Sequence, residues 1–287
     1  MKLPDNGLPN NRQNAFQVYD PNSGQLIWVG GYQQGQSPDA LYAYKALGIY
    51  KDQAQVEKLA GNLIDMSVGN NGSNNKILYG PDQWAQLTDA QKAKGLPIRP
   101  GDVIWQDVNH DGKIDQYDMV KVGNTTPRWI GGFNTTLSWK DFSLFVRTDY
   151  ALGFVQYDSQ TPWFMGDMQG TYNSLTLSKD TWTSSNPNAK YPRYDWADQL
   201  GSRNYARQSS MFVYNGDYLA FREVSLSYSL PKNIMKKLNM QEIVLSITGQ
   251  NLGYLTGSKA YSPEATGSVG SGYSLPRTFL VGANIKF

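Results

Sequence analysis

The stretch SLPRTFLVGANIKF (Ser274–Phe287) limits what this chain can fold into more than any other segment. From Phe279 on, every second residue is apolar (Phe279, Val281, Ala283, Ile285, Phe287), and Leu280, Gly282, Asn284 and Lys286 between them are mixed or polar. A period of two belongs to a strand with two unlike faces. An apolar row that runs to a terminal aromatic is what a strand needs to cross a bilayer in a barrel, about 9–11 residues long and greasy on one side only. The edge strand of a soluble sandwich would show the same alternation, so the preceding strands must decide.

They repeat the pattern. Phe133, Thr135, Leu137 and Trp139 alternate with Asn134, Thr136, Ser138 and Lys140. After a tight Lys140-Asp141 turn, Phe142, Leu144, Val146, Thr148 and Tyr150 alternate with Ser143, Phe145, Arg147, Asp149 and Ala151. Val224, Leu226, Tyr228 and Leu230 then alternate with Glu223, Ser225, Ser227 and Ser229, and Ile243, Leu245 and Ile247 with Val244, Ser246 and Thr248. The links run short (Lys140-Asp141), long (Ser159–Gly216), fairly short and basic (Pro231–Met240), then long (Gly257–Gly272). Outer-membrane barrels have short periplasmic turns and long outer loops. The expected fold is therefore all-β: about five C-terminal strands of a transmembrane antiparallel β-barrel with long extracellular loops, an incomplete barrel within this chain. Residues 128–287 are assigned to these strands. Counting back from a periplasmic Phe287 assigns 1–127 to an extracellular loop region.

Composition excludes several classes. Charged residues make up 17% and aromatics 13% of the 287, with 19 Tyr, 8 Trp and 28 Gly, an excess of interfacial rings and turn-formers. Mean hydropathy of -0.52 argues against a helical membrane protein, whereas a barrel escapes that test because half of each strand is polar. A net charge of +2 offers no field for nucleic acid. With no Cys and one His, His110, thiolate chemistry and most His-based catalysis fall away, and no enzyme is expected. Met1–Gln13 is polar with no apolar core, so the signal of an exported protein would lie on a longer precursor.

The leading region carries a hairpin (Ala15–Tyr19 and Gln25–Gly31 about Asp20–Gly24), a Tyr-rich run (Leu41–Tyr50), a short polar helix (Lys51–Leu59), a polar loop (Gly69–Asn75) and a helix over Pro81–Lys94 stopped by Gly95 and Pro97. Within DVNHDGKIDQYD (Asp107–Asp118), Asp107, Asn109 and Asp111 offer oxygens at the first, third and fifth positions of a calcium loop. Gly112 permits the sharp turn, Lys113 offers its carbonyl, and Asp115 and Asp118 fill the ninth and twelfth positions. Structural calcium is the expected cofactor; the alternative is a hydrated Asx/Gly turn. Asp118 in place of Glu shortens the closing arm, and the flanks lack paired amphipathic helices, so a clip is expected rather than a sensor. Asp195 with Asp198, or Asp217 with Glu223, are candidate glycosidase pairs, with solvated loop acids the commoner explanation. Tyr157, Trp163, Phe164, Tyr172, Trp182, Tyr191, Tyr194 and Trp196 could stack on sugars or form an aromatic girdle and loop packing.

Five stretches, in order along the chain, carry a family resemblance: LYAYKALGIYKDQAQVE (Leu41–Glu57), PGDVIWQDVNHDGKIDQYDMVKVGNTTPRWIGGFNTTLSW (Pro100–Trp139), YLAFREVSLSYSLPKNI (Tyr218–Ile234), TGQNL (Thr248–Leu252) and PRTFLVGANIKF (Pro276–Phe287). With these the chain resembles the C-terminal part of SusC/RagA-type TonB-linked outer-membrane proteins, whose barrels have about 22 strands. The resemblance implies an outer-membrane transporter that works with a SusD-like surface lipoprotein and takes energy from the TonB complex through an N-terminal region with no counterpart here. Its implied surroundings are outer-membrane lipid and a glycan or peptide substrate, with no nucleic acid. The competing expectation is a secreted, calcium-clipped β-rich carbohydrate-binding module.

Overall fold

The computed structural model describes residues 3–66, 76–167, 173–196, 198–259, 262–264 and 275–287. The polar loop at 69–75, most of the loop at 257–272, and Tyr172 lie outside them. The chain divides into two compact units, one of Met1–Asn124 with Asp158–Val213, the other of Thr125–Tyr157 with Tyr214–Phe287. The long insertion between the second and third alternating strands thus contributes to the first unit.

In the first unit, β1 (Phe16–Asp20) and β2 (Gln25–Val29) form the expected hairpin. Asp20 closes its turn by accepting from the Ser23 hydroxyl (2.8 Å) and the Asn22 N–H (3.2 Å). The Tyr-rich run is two strands, β3 (Ala40–Tyr44) and β4 (Ala46–Ile49). Helix α1 (Gln53–Ala60) starts where the Asp52 side chain accepts from the Gln55 N–H (2.8 Å), a cap worth about 1 kcal/mol. It buries Val56 and Ala60 against Tyr50, Leu78 and Ile98.

β5 (Ile64–Asp65) and β6 (Ile77–Tyr79) follow. The helix expected over Pro81–Lys94 is instead two, α2 (Pro81–Gln86) and α3 (Asp89–Lys92). Leu87 and Thr88 are extended, and Thr88 with Gln91 forms a capping box that starts a new helix rather than continuing the old one. β7 (Gly95–Pro97), β8 (Val103–Trp105), β9 (Lys113–Ile114) and β10 (Met119–Asn124) complete the unit. β3 pairs with β10, β4 with β8, and β7-β6-β5-β9 form a four-stranded sheet.

The second unit is a five-stranded antiparallel meander of β11 (Trp129–Trp139), β12 (Phe142–Leu152), β15 (Tyr218–Ser229), β16 (Glu242–Thr256) and β17 (Thr278–Lys286); the short strands β13 (Val155–Tyr157) and β14 (Val213–Asn215) pair at the two ends of the long link between β12 and β15. β11 and β17 each pair on one side only among the described residues, so the barrel is not closed within this chain. The β11–β12 turn holds Lys140 at φ +52°. The basic link between β15 and β16 contains a helical turn, Lys232–Leu238, that alternation could not reveal; it ends on Asn239 in the left-handed conformation.

Register separates the faces. Leu137, Leu144, Leu226, Ile247 and Val281 lie side by side across all five strands, and Trp139, Phe142, Tyr228, Leu245 and Ala283 form the row beside them at the short-link end. On the other face run Ser138, Ser143, Ser227, Ser246 and Gly282, then Asn134, Arg147, Glu223, Gln250 and Thr278. The apolar row stays uncovered, with Leu137 61%, Ile247 60% and Val281 85% exposed. A soluble sheet buries such a row; a lipid-facing one leaves it out.

Candidate functional site

Asp107–Asp118 runs from β8 to β10 and contains β9; it is held by β9 pairing in parallel with β5 and by the Gly112 carbonyl accepting from the Ile64 N–H (3.0 Å). His110 (φ +59°) and Gly112 (φ +78°) take the two left-handed positions of the turn. The loop oxygens face its own amides. Asp107 accepts from Gly112 (2.9 Å), Asn109 from Asp111 (3.1 Å), Asp111 from Lys113 (2.8 Å) and Asp115 from Tyr117 (2.8 Å). Asp118 is buried, and its two oxygens accept from Val108 and Asp115, both at 2.8 Å. Burial pushes the Asp118 carboxyl up to about 6, against the pull of those two hydrogen bonds. The second oxygen of Asp107 is buried without a hydrogen-bond partner. Among the described residues no three His, Cys, Asp or Glu side chains converge into a metal-holding group.

Each carboxylate of the candidate acid pairs has a charged or amide partner. Asp195 is held by Arg193 (2.5 Å) and Arg99 (3.2 Å), while buried Asp198 accepts from the amides of Asn204, Tyr205 and Ala206 at 2.8–2.9 Å. Asp217 accepts from the Gly153 N–H (2.6 Å), and Glu223 pairs with Arg147 (3.2 Å). Of the loop aromatics, Trp163, Tyr194 and Trp196 are exposed, Tyr191 is buried, and Trp182 donates to the Lys51 carbonyl (3.1 Å).

Spacing gave no sign of two buried polar centres in the first unit. Arg207 and Asp65, both buried, pair at 2.9 Å, and the guanidinium stacks on Trp105 (4.5 Å) and Tyr44 (5.3 Å). Asp102 accepts from Asn204 (3.0 Å) and from the Arg99 N–H (2.9 Å), with Arg193 at 3.6 Å; burial pushes its carboxyl up nonetheless. Arg207 and Asp65 are 142 residues apart and Asn204 and Asp102 are 102 apart, so only the fold brings these pairs together.

On the polar face of the second unit, charges pair across strands. Arg147 meets Glu223, Ser225 shares a hydrogen bond with Thr248 (2.7 Å), and Arg222 donates to both oxygens of Asp149 (2.8 and 2.9 Å). Arg222 would point to the apolar side by simple alternation. The register passes from Phe221 to Glu223 without pairing it, so the bulge puts Arg222 with the polar row. A groove of about 490 Å³ along Tyr150, Leu152, Leu219 and Leu255 belongs to the apolar face. Together the two faces can separate an oily surface from a charged, hydrogen-bonding wall.

No family model matches the chain. It is 30% identical over 203 residues to TonB-dependent receptor P3 of Formosa agariphila, a match covering 66% of this chain and 19% of the relative. It is 27% identical to TonB-dependent receptor P26 of the same organism, over 68% of this chain and 21% of that one. The chain spans about a fifth of the length of these curated relatives. Its fold is similar to a solved structure of the RagAB peptide transporter, at a TM-score of 0.59 and 18% identity, covering 94% of this chain and 24% of that one. A RagAB peptide importer in an open-open state matches with a TM-score of 0.56 at 18% identity, over 100% of this chain and 25% of that chain.

Proposed function

The chain has the sequence and the fold of the C-terminal portion of a SusC/RagA-type TonB-dependent protein, and from that premise we propose that it forms the closing strands of an outer-membrane importer of large polar nutrients. One observation carries this reading: five antiparallel strands in register present one uncovered apolar face and one polar face with paired charges. Lipid takes the first face and the water of the lumen the second. The first unit, with the long links, belongs outside the membrane, where cargo is first met.

The likeness to RagAB favours a SusD-like surface lipoprotein as partner and oligopeptides as cargo, with glycans the other class such a lumen would pass. Energy would come from the TonB complex through a region outside this chain. The relatives' names, a TonB-dependent receptor and a peptide transporter, support carriage rather than catalysis as the role. Cells carrying the protein should accumulate labelled oligopeptide or oligosaccharide, and lose that uptake when TonB is removed. Uptake indifferent to TonB would refute the proposal.

We also propose the loop Asp107–Asp118 as a calcium clip of modest affinity. Asp107, Asn109, Asp111, Lys113, Asp115 and Asp118 supply its oxygens, and the partnerless oxygen of Asp107 supports the idea. Calcium would compete with backbone amides for most of these oxygens, which holds the affinity down. Calorimetry on the intact protein should register calcium uptake that Asp107→Ala removes and His110→Ala leaves intact; no uptake would return the loop to a hydrogen-bonded turn.

A further inference from the structure

Arg222 holds more than Asp149. Its Nη1 donates to Glu264 (2.6 Å), and the Tyr254 hydroxyl donates to the same Glu264 oxygen. Glu264 is not a strand residue: it lies in the link between β16 and β17, in the segment Ser262–Glu264. That segment is fastened a second time where the Ser262 carbonyl accepts from Gln156 (3.0 Å), whose own carbonyl accepts from the Ser258 hydroxyl (2.6 Å).

The receiving groups are fixed without Glu264. The bulge sets the Arg222 backbone, Asp149 grips its Nε edge with both oxygens, and the guanidinium lies over the Tyr254 ring at 5.8 Å. A guanidinium fixed along one edge, with a phenol beside its free edge, presents convergent donors that suit a carboxylate. We propose that Arg222 and Tyr254 form a carboxylate-binding site on the polar wall, filled in this structure by the chain's own Glu264, so that Ser262–Glu264 is a strap that an incoming carboxylate can displace. The ligand class is a free carboxylate on a polar cargo, such as a peptide C-terminus or an acidic side chain; this rests on the reading of the face as the lumen wall. Because Glu264 is tethered, it competes at an effective concentration in about the millimolar range, and only a ligand with further contacts displaces it.

The test uses the full protein in mild detergent, with glutarate as the probe. Lys259 is exposed and lies a few residues ahead of the strap, so tryptic cleavage after it reports whether the strap is fastened. Glu264→Gln should raise cleavage at Lys259 several-fold while cleavage at Lys190 in the first unit stays constant. Calorimetry should detect glutarate binding to Glu264→Ala, at least tenfold weaker binding to wild type, and none to the double variant Arg222→Gln/Glu264→Ala. Unchanged cleavage in Glu264→Gln would overturn the strap, and glutarate binding that survives loss of Arg222 would overturn the site. A cysteine at Ser227 that resists an aqueous maleimide would instead overturn the lumen reading, a failure these two measurements keep separate.

Discussion

Asp102 shows at single-residue scale how buried charge is managed in the first unit. Its carboxylate accepts from two donors, the Asn204 amide and the Arg99 N–H, and an asparagine in its place could accept only one without turning a donor toward a donor. Asp102→Asn should therefore cost about 1–3 kcal/mol in denaturant unfolding. Burial holds the folded carboxyl above the ordinary range of an aspartate, so the stability tied to its neutral form is complete below that range and declines as pH rises through the folded pKa. The variant should lose that part of the slope; unfolding with an unchanged pH profile would show that Asp102 does not titrate with folding. Little of this was legible in the sequence. The calcium spacing was, because its residues are neighbours in the chain, but spacing says nothing of whether an oxygen turns to a metal or to the nearest amide, and here most turn to amides.

At the scale of elements, alternation located β11, β12 and β17 closely and failed where the backbone departs from period two. β15 begins at Tyr218, before the expected alternation, because Arg222 is a bulged residue that breaks its parity. β16 continues to Thr256 past Asn251 (φ +52°) and Gly253, where the register shifts again. Bulges re-aim side chains without ending a strand, so a strict period stops too early at each. The register also ranks substitutions by depth. Leu226 lies with Leu137, Leu144, Ile247 and Val281 inside the band, whereas Leu245 lies in the end row with Trp139, Phe142 and Tyr228. Leu226→Arg should destabilise the lipid-inserted protein by roughly 2–4 kcal/mol, Leu245→Arg by about 0–1 kcal/mol, and Ser225→Arg on the polar face by less than Leu226→Arg. Equal losses in urea titrations of vesicle-embedded protein would contradict the assignment of faces.

For the molecule as a whole, the account depends on which side of the β11–β17 sheet meets lipid. The link lengths made the meander readable, since a short turn forces adjacent antiparallel strands and a long link between strands in register must leave the sheet and return. The destination of residues 158–213 was not readable, because the bonds that tie them to the rest of the first unit reach partners far away in sequence, as in Arg193 N–H to the Gly101 carbonyl (2.8 Å) and Tyr44 N–H to the Gln208 carbonyl (2.9 Å). The most direct measurement exploits the absence of cysteine from this chain. Single cysteines at Ser225, Leu226, Ser227 and Tyr228 along β15, in protein embedded in outer membranes, would be challenged with a membrane-impermeant maleimide. Labelling should alternate, with Ser225 and Ser227 reacting and Leu226 and Tyr228 protected. Uniform labelling of all four positions, as on a water-exposed sheet, would contradict a barrel wall.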